Sequence, residues 1–257
     1  MTARRRNPNA GNQPSFLAGR PVIAMDWIDY YDTKHTIYAN KLHRDLHFQI
    51  IARDIIGYIV SPETVVLDYS CGEALSANEV AEACGKLILA EPAPGVRGRL
   101  TARFASNAKI SVCSLEDVRS MTEQSVDLVV INSVAQYMSK DELDSTLAVI
   151  RRLLKPSGKL VLGDILRPDV GMFRDVQALL GLGARHGFLK DALIGLISTA
   201  LSDYRQLRSR IGLQHYSEAE ITAKLRAAGF TAQRAEANIG HNPWRMTFIA
   251  RPMPTSG

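Results

Sequence analysis

The segment from Val65 to Ala77 places the strongest constraint on how this chain can fold. An apolar, β-branched run reaches Asp68, and the chain then passes the small residues Ser70, Gly72 and Ala74 before a helix-compatible stretch. A strand, a tight turn and a helix start in this order form the repeating unit of α/β sheets. Such a turn brings backbone N–H groups close to a ligand. The segment therefore predicts a strand, a turn and a helix with a binding site at the turn.

A second acidic residue ends the next predicted strand. The apolar run 87–90 is followed by Glu91, and an acid at this place can accept hydrogen bonds from a ribose diol. A dinucleotide site needs bare backbone for a pyrophosphate, which the Asp68 carboxylate at the mouth of the turn would repel. The same carboxylate suits a ligand that carries an ammonium group. The two acids together favour S-adenosylmethionine as the cofactor.

The Asp-x-Ser-x-Gly-x-Ala string that starts at Asp68 resembles motif I of the class I S-adenosylmethionine-dependent methyltransferases, with small residues in place of two glycines. Three further segments resemble this family in the expected order: Val126–Asn132 as strand four, Leu153–Leu162 as the turn into strand five, and Ala228–Phe230 after the last helix. The resemblance covers about residues 61–167 and 217–251. It implies a small-molecule methyltransferase of the type 11/12-like branch.

Alternating strand and helix patterns predict an α/β fold. The strands are expected near 64–68, 87–91, 109–113, 126–131, 159–164, 231–238 and 245–250. The resemblance implies a Rossmann-like, seven-stranded, mostly parallel sheet with helices on both faces and an antiparallel last strand. A capping-box pattern, Ser217-x-x-Glu220, predicts the start of the last helix.

The chain divides into five predicted segments. They are a disordered basic tail (1–20), an N-terminal helical cap (21–60), the cofactor-binding core (61–167), a helical insertion between strands five and six (168–216), and a final helix with two strands (217–257). Because ligands of α/β sheets bind at the carboxyl ends of the strands, the cap and the insertion are placed to form an acceptor pocket. The apolar residues around Leu193, Ile194, Leu196 and Ile197 indicate either a hydrophobic acceptor, such as a lipid, quinone or aromatic metabolite, or ordinary packing.

Composition excludes several classes of protein. A hydrophobic content of 46% and a charged content of 22% are typical of a globular chain. Four arginines of the tail account for four of the five net positive charges, so we expect no nucleic-acid surface. No apolar run approaches the length of a membrane span. Three isolated cysteines without metal-ligand spacing fit a reducing cytoplasm. The sequence does not indicate the oligomeric state.

The resemblance implies further cofactor contacts. In the family, the loop after strand three contacts the adenine, and the matching stretch here holds Leu115 and Glu116. The end of strand four meets the methyl end of the cofactor, which places Asn132 there. The predicted cofactor-binding residues are Asp68, Ser70, Gly72, Glu91, Leu115, Glu116 and Asn132.

The candidate catalytic residues are Tyr31, His35 and His241. Related small-molecule enzymes use an aromatic residue of the cap as a lid, and Tyr31 is our choice, although packing explains it equally well. An acceptor that bears a proton needs a base, for which all three residues are candidates. His43 and His47 share a helix face. We expect them to be solvated or at a pocket rim, and no metal site is predicted.

The sequence therefore predicts methyl transfer to a small, hydrophobic or aromatic organic acceptor, catalysed by an enzyme of class EC 2.1.1. Two alternatives stay open. A nicotinamide-dependent reductase on a degenerate Rossmann fold would bind NAD(P), and a non-catalytic module of the same fold would bind the cofactor without turnover. The strings that hold a flat base amino group in DNA methyltransferases are absent. Protein or RNA methylation has only the basic tail to support it.

Overall fold

The structure is a computed structural model that describes residues 27–29, 32, 38–200 and 212–254, without the side chains of Met172 and residues 197–200. The predicted basic tail lies outside the described residues. The five predicted segments as a whole stay a prediction.

Seven strands and eight longer helices make up the described part of the chain. The strands are β1 (Val65–Tyr69), β2 (Lys86–Ala90), β3 (Ile110–Cys113), β4 (Val126–Asn132), β5 (Leu154–Ile165), β6 (Phe230–Arg234) and β7 (Met246–Pro252). The helices are α1 (Lys41–Ile56), α2 (Ala77–Ala83), α3 (Pro94–Phe104), α4 (Leu115–Ser120), α5 (Lys140–Leu153), α6 (Met172–His186), α7 (Leu189–Ala200) and α8 (Glu218–Ala227). All seven predicted strands are present, although β6 ends four residues before its expected end.

The strands form one sheet in the order β3-β2-β1-β4-β5-β7-β6. β7 runs antiparallel to both β5 and β6, whereas the pairs among β1 to β5 are parallel. The predicted seven-stranded sheet with an antiparallel last strand is confirmed. The chain moves outward from β1 to β3 and then returns to β4 beside β1. This reversal creates a crevice at the carboxyl ends of β1 and β4, where open α/β sheets bind ligands.

Two apolar layers cover the two faces of the sheet. Successive strand residues point to opposite faces, so Leu67 and Val129 join one buried cluster while Val66 and Leu128 join the other. All four side chains are at most 1% exposed. Burial of both faces explains why the strands read as nearly continuous apolar runs.

Local sequence signals explain where the helices begin. The predicted capping box is confirmed at α8, where Ser217 Oγ accepts from the Glu220 N–H and the Ser217 N–H donates to the Glu220 carboxylate. Ser139 starts α5 in the same way with Glu142. A left-handed Gly187 (φ 80°) ends α6.

The cap helix α1 and the insertion helices pack together above the sheet edge. Leu46 and Ile50 of α1 contact a small buried cluster of Leu182, Phe188 and Ala192. Leu193 and Ile194, in contrast, are 46% and 65% exposed. None of the helices in the described part of the chain is long and apolar enough to cross a membrane.

Gly163 in β5 provides a test of the packing at the crevice. A Cβ atom at this position would lie 2.7 Å from Asn132 Oδ1 and 3.4 Å from Thr247 Oγ1. We expect Gly163→Ala to lower the free energy of unfolding by about 1–3 kcal/mol, because the neighbours must move. Urea denaturation followed by circular dichroism measures the change.

Gly98 on α3 is the matched control, since a Cβ atom there meets nothing within 4 Å. Gly98→Ala should raise the free energy of unfolding by about 0.5–1 kcal/mol, because alanine loses less backbone entropy in a helix. Equal effects of the two substitutions would contradict the packing described for Gly163.

Candidate functional site

A cavity of about 670 Å³ lies at the carboxyl ends of β1, β4 and β5. Its volume is typical of small-molecule sites. Residues of the cap helix α1 form the opposite wall. Six of the ten predicted site residues line this cavity: Asp68, Ser70, Gly72, Glu91, Asn132 and His241.

The turn after β1 adopts a conformation that glycine normally provides. The φ angles of Ser70, Gly72 and Ala74 are 59°, 60° and 39°. Two of these three residues carry a side chain, for which the left-handed region is unfavourable by about 1–3 kcal/mol. The two departures from the motif I pattern therefore change the residues and keep the backbone shape. Ser70 Oγ is buried at the turn and has no hydrogen-bond partner among the described residues.

Glu91 connects the turn after β1 to the loop after β2. Its carboxylate accepts hydrogen bonds from the Gly72 N–H and the Ala93 N–H, both at 2.9 Å. The residue is 4% exposed, and this burial raises the pKa of its carboxyl group, although the two N–H donors act in the opposite direction. Glu91 thus shapes the binding turn in addition to lining the cavity.

Asp68 faces the cavity beside Glu91. Burial raises the pKa of the Asp68 carboxyl group to about 7, and repulsion from Glu91 contributes to the increase. Within the described residues its carboxylate accepts no hydrogen bond. An acid in these surroundings is electrostatically unsatisfied when ionised, and a cationic ligand would relieve the repulsion.

A second strained region lies at the ends of β4 and β5. Ser133 and Asp164 have φ angles of 60° and 58°, and Ser133 Oγ donates to the Asp164 carboxylate at 2.8 Å. Asn132 Oδ1 and Gln136 Oε1 are buried without a hydrogen-bond partner in the described part of the chain. Both residues line the cavity, so these acceptor atoms are available to a ligand.

Leu115 and Glu116 do not line the cavity. They form the first turn of α4, where backbone N–H groups lack acceptors within the helix. The neighbouring acid, Asp117, takes part in a capping box with Ser114. Helix capping therefore explains the acid at position 117. A contact of Leu115 or Glu116 with an adenine stays a prediction.

Aromatic rings and imidazoles form the wall opposite the strand ends. The rings of His43 and His47 each lie 6.1 Å from that of His241, and Tyr38 contacts both rings of α1 at 5.6 and 5.4 Å. His43 is 6% exposed, so it is not solvated; both histidines line the cavity, which agrees with the alternative of a pocket position. Burial lowers the pKa of His43 to about 4 and that of His47 to about 3, with a further contribution from His241. We call these three histidines with Tyr38 and Phe48 the imidazole wall.

The loop between β6 and β7 carries His241 and is held by charged groups. Arg245 donates to the Asp175 carboxylate at 3.0 Å and to Asp164 at 3.4 Å, and it is 13% exposed. Asn242 Nδ2 donates to the same Asp175 at 2.8 Å. The sequence analysis missed this network because 70 residues separate Asp175 from Arg245, and no local spacing brings them together.

Two candidate catalytic residues have no described position. Tyr31 and His35 lie outside the described residues. Leu193 and Ile194, for which the sequence left both a hydrophobic acceptor and ordinary packing open, are exposed and do not line the cavity. Among the described residues, no group of three or more His, Cys, Asp or Glu side chains could hold a metal ion.

Comparison with known proteins identifies the type of domain. Residues 67–162 match the family model described as a methyltransferase domain. Over 77 residues, the chain is 39% identical to a carboxy-S-adenosyl-L-methionine synthase of Shewanella amazonensis (strain ATCC BAA-1098 / SB2B). That match covers 30% of this chain and 30% of the relative, so the chain spans less than a third of the relative's length in the comparison.

Solved structures resemble the chain over most of its length. A magnesium protoporphyrin IX methyltransferase of Synechocystis PCC 6803, with bound S-adenosylmethionine, gives a TM-score of 0.54 at 14% identity and covers 89% of this chain and 90% of its own. A 1,6-didemethyltoxoflavin-N1-methyltransferase of Burkholderia thailandensis, with bound S-adenosylhomocysteine, gives 0.54 at 17% identity, over 90% and 88%. Identities this low show a shared fold. Residues 67–162 thus match a methyltransferase domain, and the chain shares the fold of S-adenosylmethionine-dependent methyltransferases.

The raised pKa of Asp68 predicts a pH-dependent stability of the ligand-free protein. The unfolded chain releases this proton near pH 3.8, whereas the folded chain holds it until about pH 7. Between these values the folded state binds more protons, so stability falls as the pH rises. Asp68→Asn should remove this loss and raise the free energy of unfolding at pH 7.5 by about 1–3 kcal/mol relative to wild type.

Urea denaturation at pH 5 and pH 7.5 measures the effect. Wild type and Asp68→Asn should differ more at pH 7.5 than at pH 5. A difference that is independent of pH would show that Asp68 ionises normally in the folded state.

Proposed function

We propose that this chain transfers a methyl group from S-adenosylmethionine to a small organic acceptor held between the strand ends and the imidazole wall. The observation that carries the proposal is the pair of carboxyl groups at the ends of β1 and β2, half-buried Asp68 and buried Glu91. Asp68 and Glu91 place two carboxyl groups against a turn with left-handed backbone, and each raised pKa shows that a second negative charge is unfavourable there without a cation. A ligand with both a cationic group and a ribose diol satisfies this arrangement.

The residues around the turn fit the cofactor. Asp68 would hold its ammonium group, and Glu91 would orient the turn and face the ribose. Ser70 Oγ and Asn132 Oδ1 are buried polar atoms without a partner in the described residues, and a polar ligand would supply the missing hydrogen bonds. Two similar structures are described with bound S-adenosylmethionine or S-adenosylhomocysteine, which supports the same choice.

The cofactor, when bound, supplies a methyl carbon on a sulfonium sulfur, so an acceptor lone pair displaces the sulfur and the C–S electron pair stays on it. The chain contributes mainly by alignment of the two reactants. His43, His47 and Tyr38 offer flat surfaces to the acceptor, and the low pKa values of the two histidines keep them uncharged at neutral pH. Such a wall favours an aromatic or otherwise apolar acceptor that also carries polar groups.

Calorimetry with wild type and two variants tests the cofactor site. Asp68→Asn and Glu91→Gln should each weaken S-adenosylhomocysteine binding by about 1–3 kcal/mol, because each removes a charged partner from the ligand or its turn. Glu123→Gln is the matched control, since Glu123 is exposed and pairs with Arg152. Unchanged affinity in both site variants would remove the assignment.

NAD and NADP titrations in the same instrument separate the alternative of a reductase. The Asp68 carboxyl group at the turn disfavours a pyrophosphate, so we expect neither dinucleotide to bind at concentrations that saturate S-adenosylhomocysteine. Tighter binding of a dinucleotide would contradict the proposed function.

Turnover distinguishes an enzyme from a binding module. With S-adenosylmethionine and a panel of hydroxylated and aminated aromatic compounds, release of S-adenosylhomocysteine should be observed by mass spectrometry for at least one compound. Release that comes from hydrolysis in solution should be the same with Asp68→Asn as with wild type. Release by the enzyme should fall about tenfold or more in this variant at subsaturating cofactor, because the variant binds the cofactor more weakly. Tight cofactor binding with no release across the panel would favour the non-catalytic module.

A further inference from the structure

The loop that carries His241 is fixed from three sides of the cavity. The Gly240 N–H donates to Asp54 of α1 at 2.9 Å. Asn238 exchanges hydrogen bonds with Asp164 at the end of β5, at 3.1 and 3.3 Å. Asn242, next to His241, donates to Asp175 of the insertion helix α6 at 2.8 Å. The imidazole therefore sits on a loop with contacts to the cap, the sheet and the insertion.

Asp175 of α6 binds two residues of the loop that carries His241. It accepts from Asn242 and also accepts three hydrogen bonds from two nitrogen atoms of Arg245, Nε and Nη2, at 3.0 to 3.2 Å. Arg245 in turn reaches Asp164. One carboxylate of the insertion thus binds Asn242, which immediately follows His241, and Arg245 at the end of the same loop, and Arg245 partly balances its charge.

The three imidazoles of the cavity differ in their surroundings. The His43 Nδ1 atom accepts from the Ala39 N–H at 3.1 Å, so the neutral ring carries its proton on Nε2 and acts as a hydrogen-bond donor towards the cavity. His47 packs against the rings of Tyr38 and Phe48. Neither has a carboxylate among the groups that shift its titration.

His241 has carboxylates nearby. The charged and titratable groups that act on it are Asp164 of β5, Asp175 and Arg185 of α6, Arg245 at the start of β7, and the facing His43 and His47 of α1. Burial lowers the pKa of His241, whereas Asp164 and Asp175 counteract the decrease and Arg245 and Arg185 add to it. Two carboxylates raise the pKa of His241, whereas no carboxylate acts on His43 or His47, so we expect His241 to accept a proton more readily than the other two rings.

We propose that Asp175 is a positioning residue for His241, which takes the proton of an O–H or N–H acceptor. Asp175 fixes the loop that carries the imidazole, and its carboxylate supplies negative charge to the imidazole. The inference rests on the proposed methyl transfer and narrows its acceptors to groups that lose a proton. As the acceptor lone pair forms the new bond to carbon, the O–H or N–H bond breaks, and its proton goes to a His241 ring nitrogen. The positive charge of the resulting imidazolium would be offset by Asp164 and Asp175, both of which raise the pKa of His241.

An NMR titration of the histidine side chains tests the role of Asp175 in the ligand-free protein. In wild type, His241 should titrate at a higher pH than His43 and His47. Asp175→Asn should lower the pKa of His241 by about 0.5–1 unit, because a nearby negative charge is lost. The titrations of His43 and His47 should move by less than half as much.

Asp144→Asn is the matched control, since Asp144 is an acid that pairs with Lys224 and does not line the cavity. It should leave all three histidine titrations unchanged. A purely structural role of Asp175 would lower thermal stability without a selective change at His241. An unchanged His241 titration in Asp175→Asn, or a wild-type His241 that titrates below the other two, would overturn the proposal.

A pair of probes tests whether His241 meets a proton-bearing acceptor. In the S-adenosylhomocysteine complex, 2-naphthol should bind about fivefold tighter than naphthalene, since its hydroxyl group can donate to the imidazole. The difference should vanish in His241→Phe and persist in Asp144→Asn. Equal binding of the two probes by wild type, or an unchanged difference in His241→Phe, would contradict the proposal. Failure of S-adenosylhomocysteine itself to bind would instead reject the proposed function, and the titration in the ligand-free protein is independent of that result.

Discussion

The site depends on the buried Glu91 carboxylate, which accepts hydrogen bonds from backbone N–H groups in two neighbouring loops, those of Gly72 and Ala93. The contact holds the turn at Gly72 against the end of β2 and places a second charge next to Asp68. Two carboxylates that are close together and shielded from water cannot both ionise without a penalty. In the ligand-free protein, the repulsion between the two carboxylates is unfavourable. A cationic ligand would replace this repulsion with attraction, so the same pair of acids would select cationic ligands over neutral or anionic ones.

Backbone strain is concentrated in the same region. Five residues other than glycine have a positive φ angle among those described, and four of them, Ser70, Ala74, Ser133 and Asp164, follow or end the strands β1, β4 and β5 at the cavity. Strain of this kind persists only where the surrounding structure fixes the backbone. Here the parallel strands and the two buried apolar layers provide that rigidity. The sheet thus supports both the strained turns and the polar atoms they present.

The sequence predicted the parts of the molecule that are encoded locally. Strand runs, turn residues and the Ser217 capping box are each read within a few positions, and the order of the strands followed from the resemblance. The sequence also placed Asp68 and Glu91 at adjacent strand ends. It did not reveal that Arg245 lies between Asp164 and Asp175, because only the folded chain brings the insertion against the last loop. Burial of His43 was missed for the same reason, since the i, i+4 spacing defines a helix face and leaves open what packs on it.

The two walls of the cavity consequently divide the chemistry between them. The strand ends carry negative charge from Asp68 and Glu91, which suits a cationic cofactor, whereas the imidazole wall is uncharged at neutral pH because burial lowers the pKa of His43 and His47. The imidazole wall offers a cation no negative charge, and the strand ends offer an apolar acceptor little apolar surface. This difference in polarity would direct the cofactor to the strand ends and the acceptor to the imidazole wall of the same cavity. His241 has the neutral histidines on one side and Asp164 and Asp175 among the charges that act on it, as the proposed transfer of a proton to this imidazole requires.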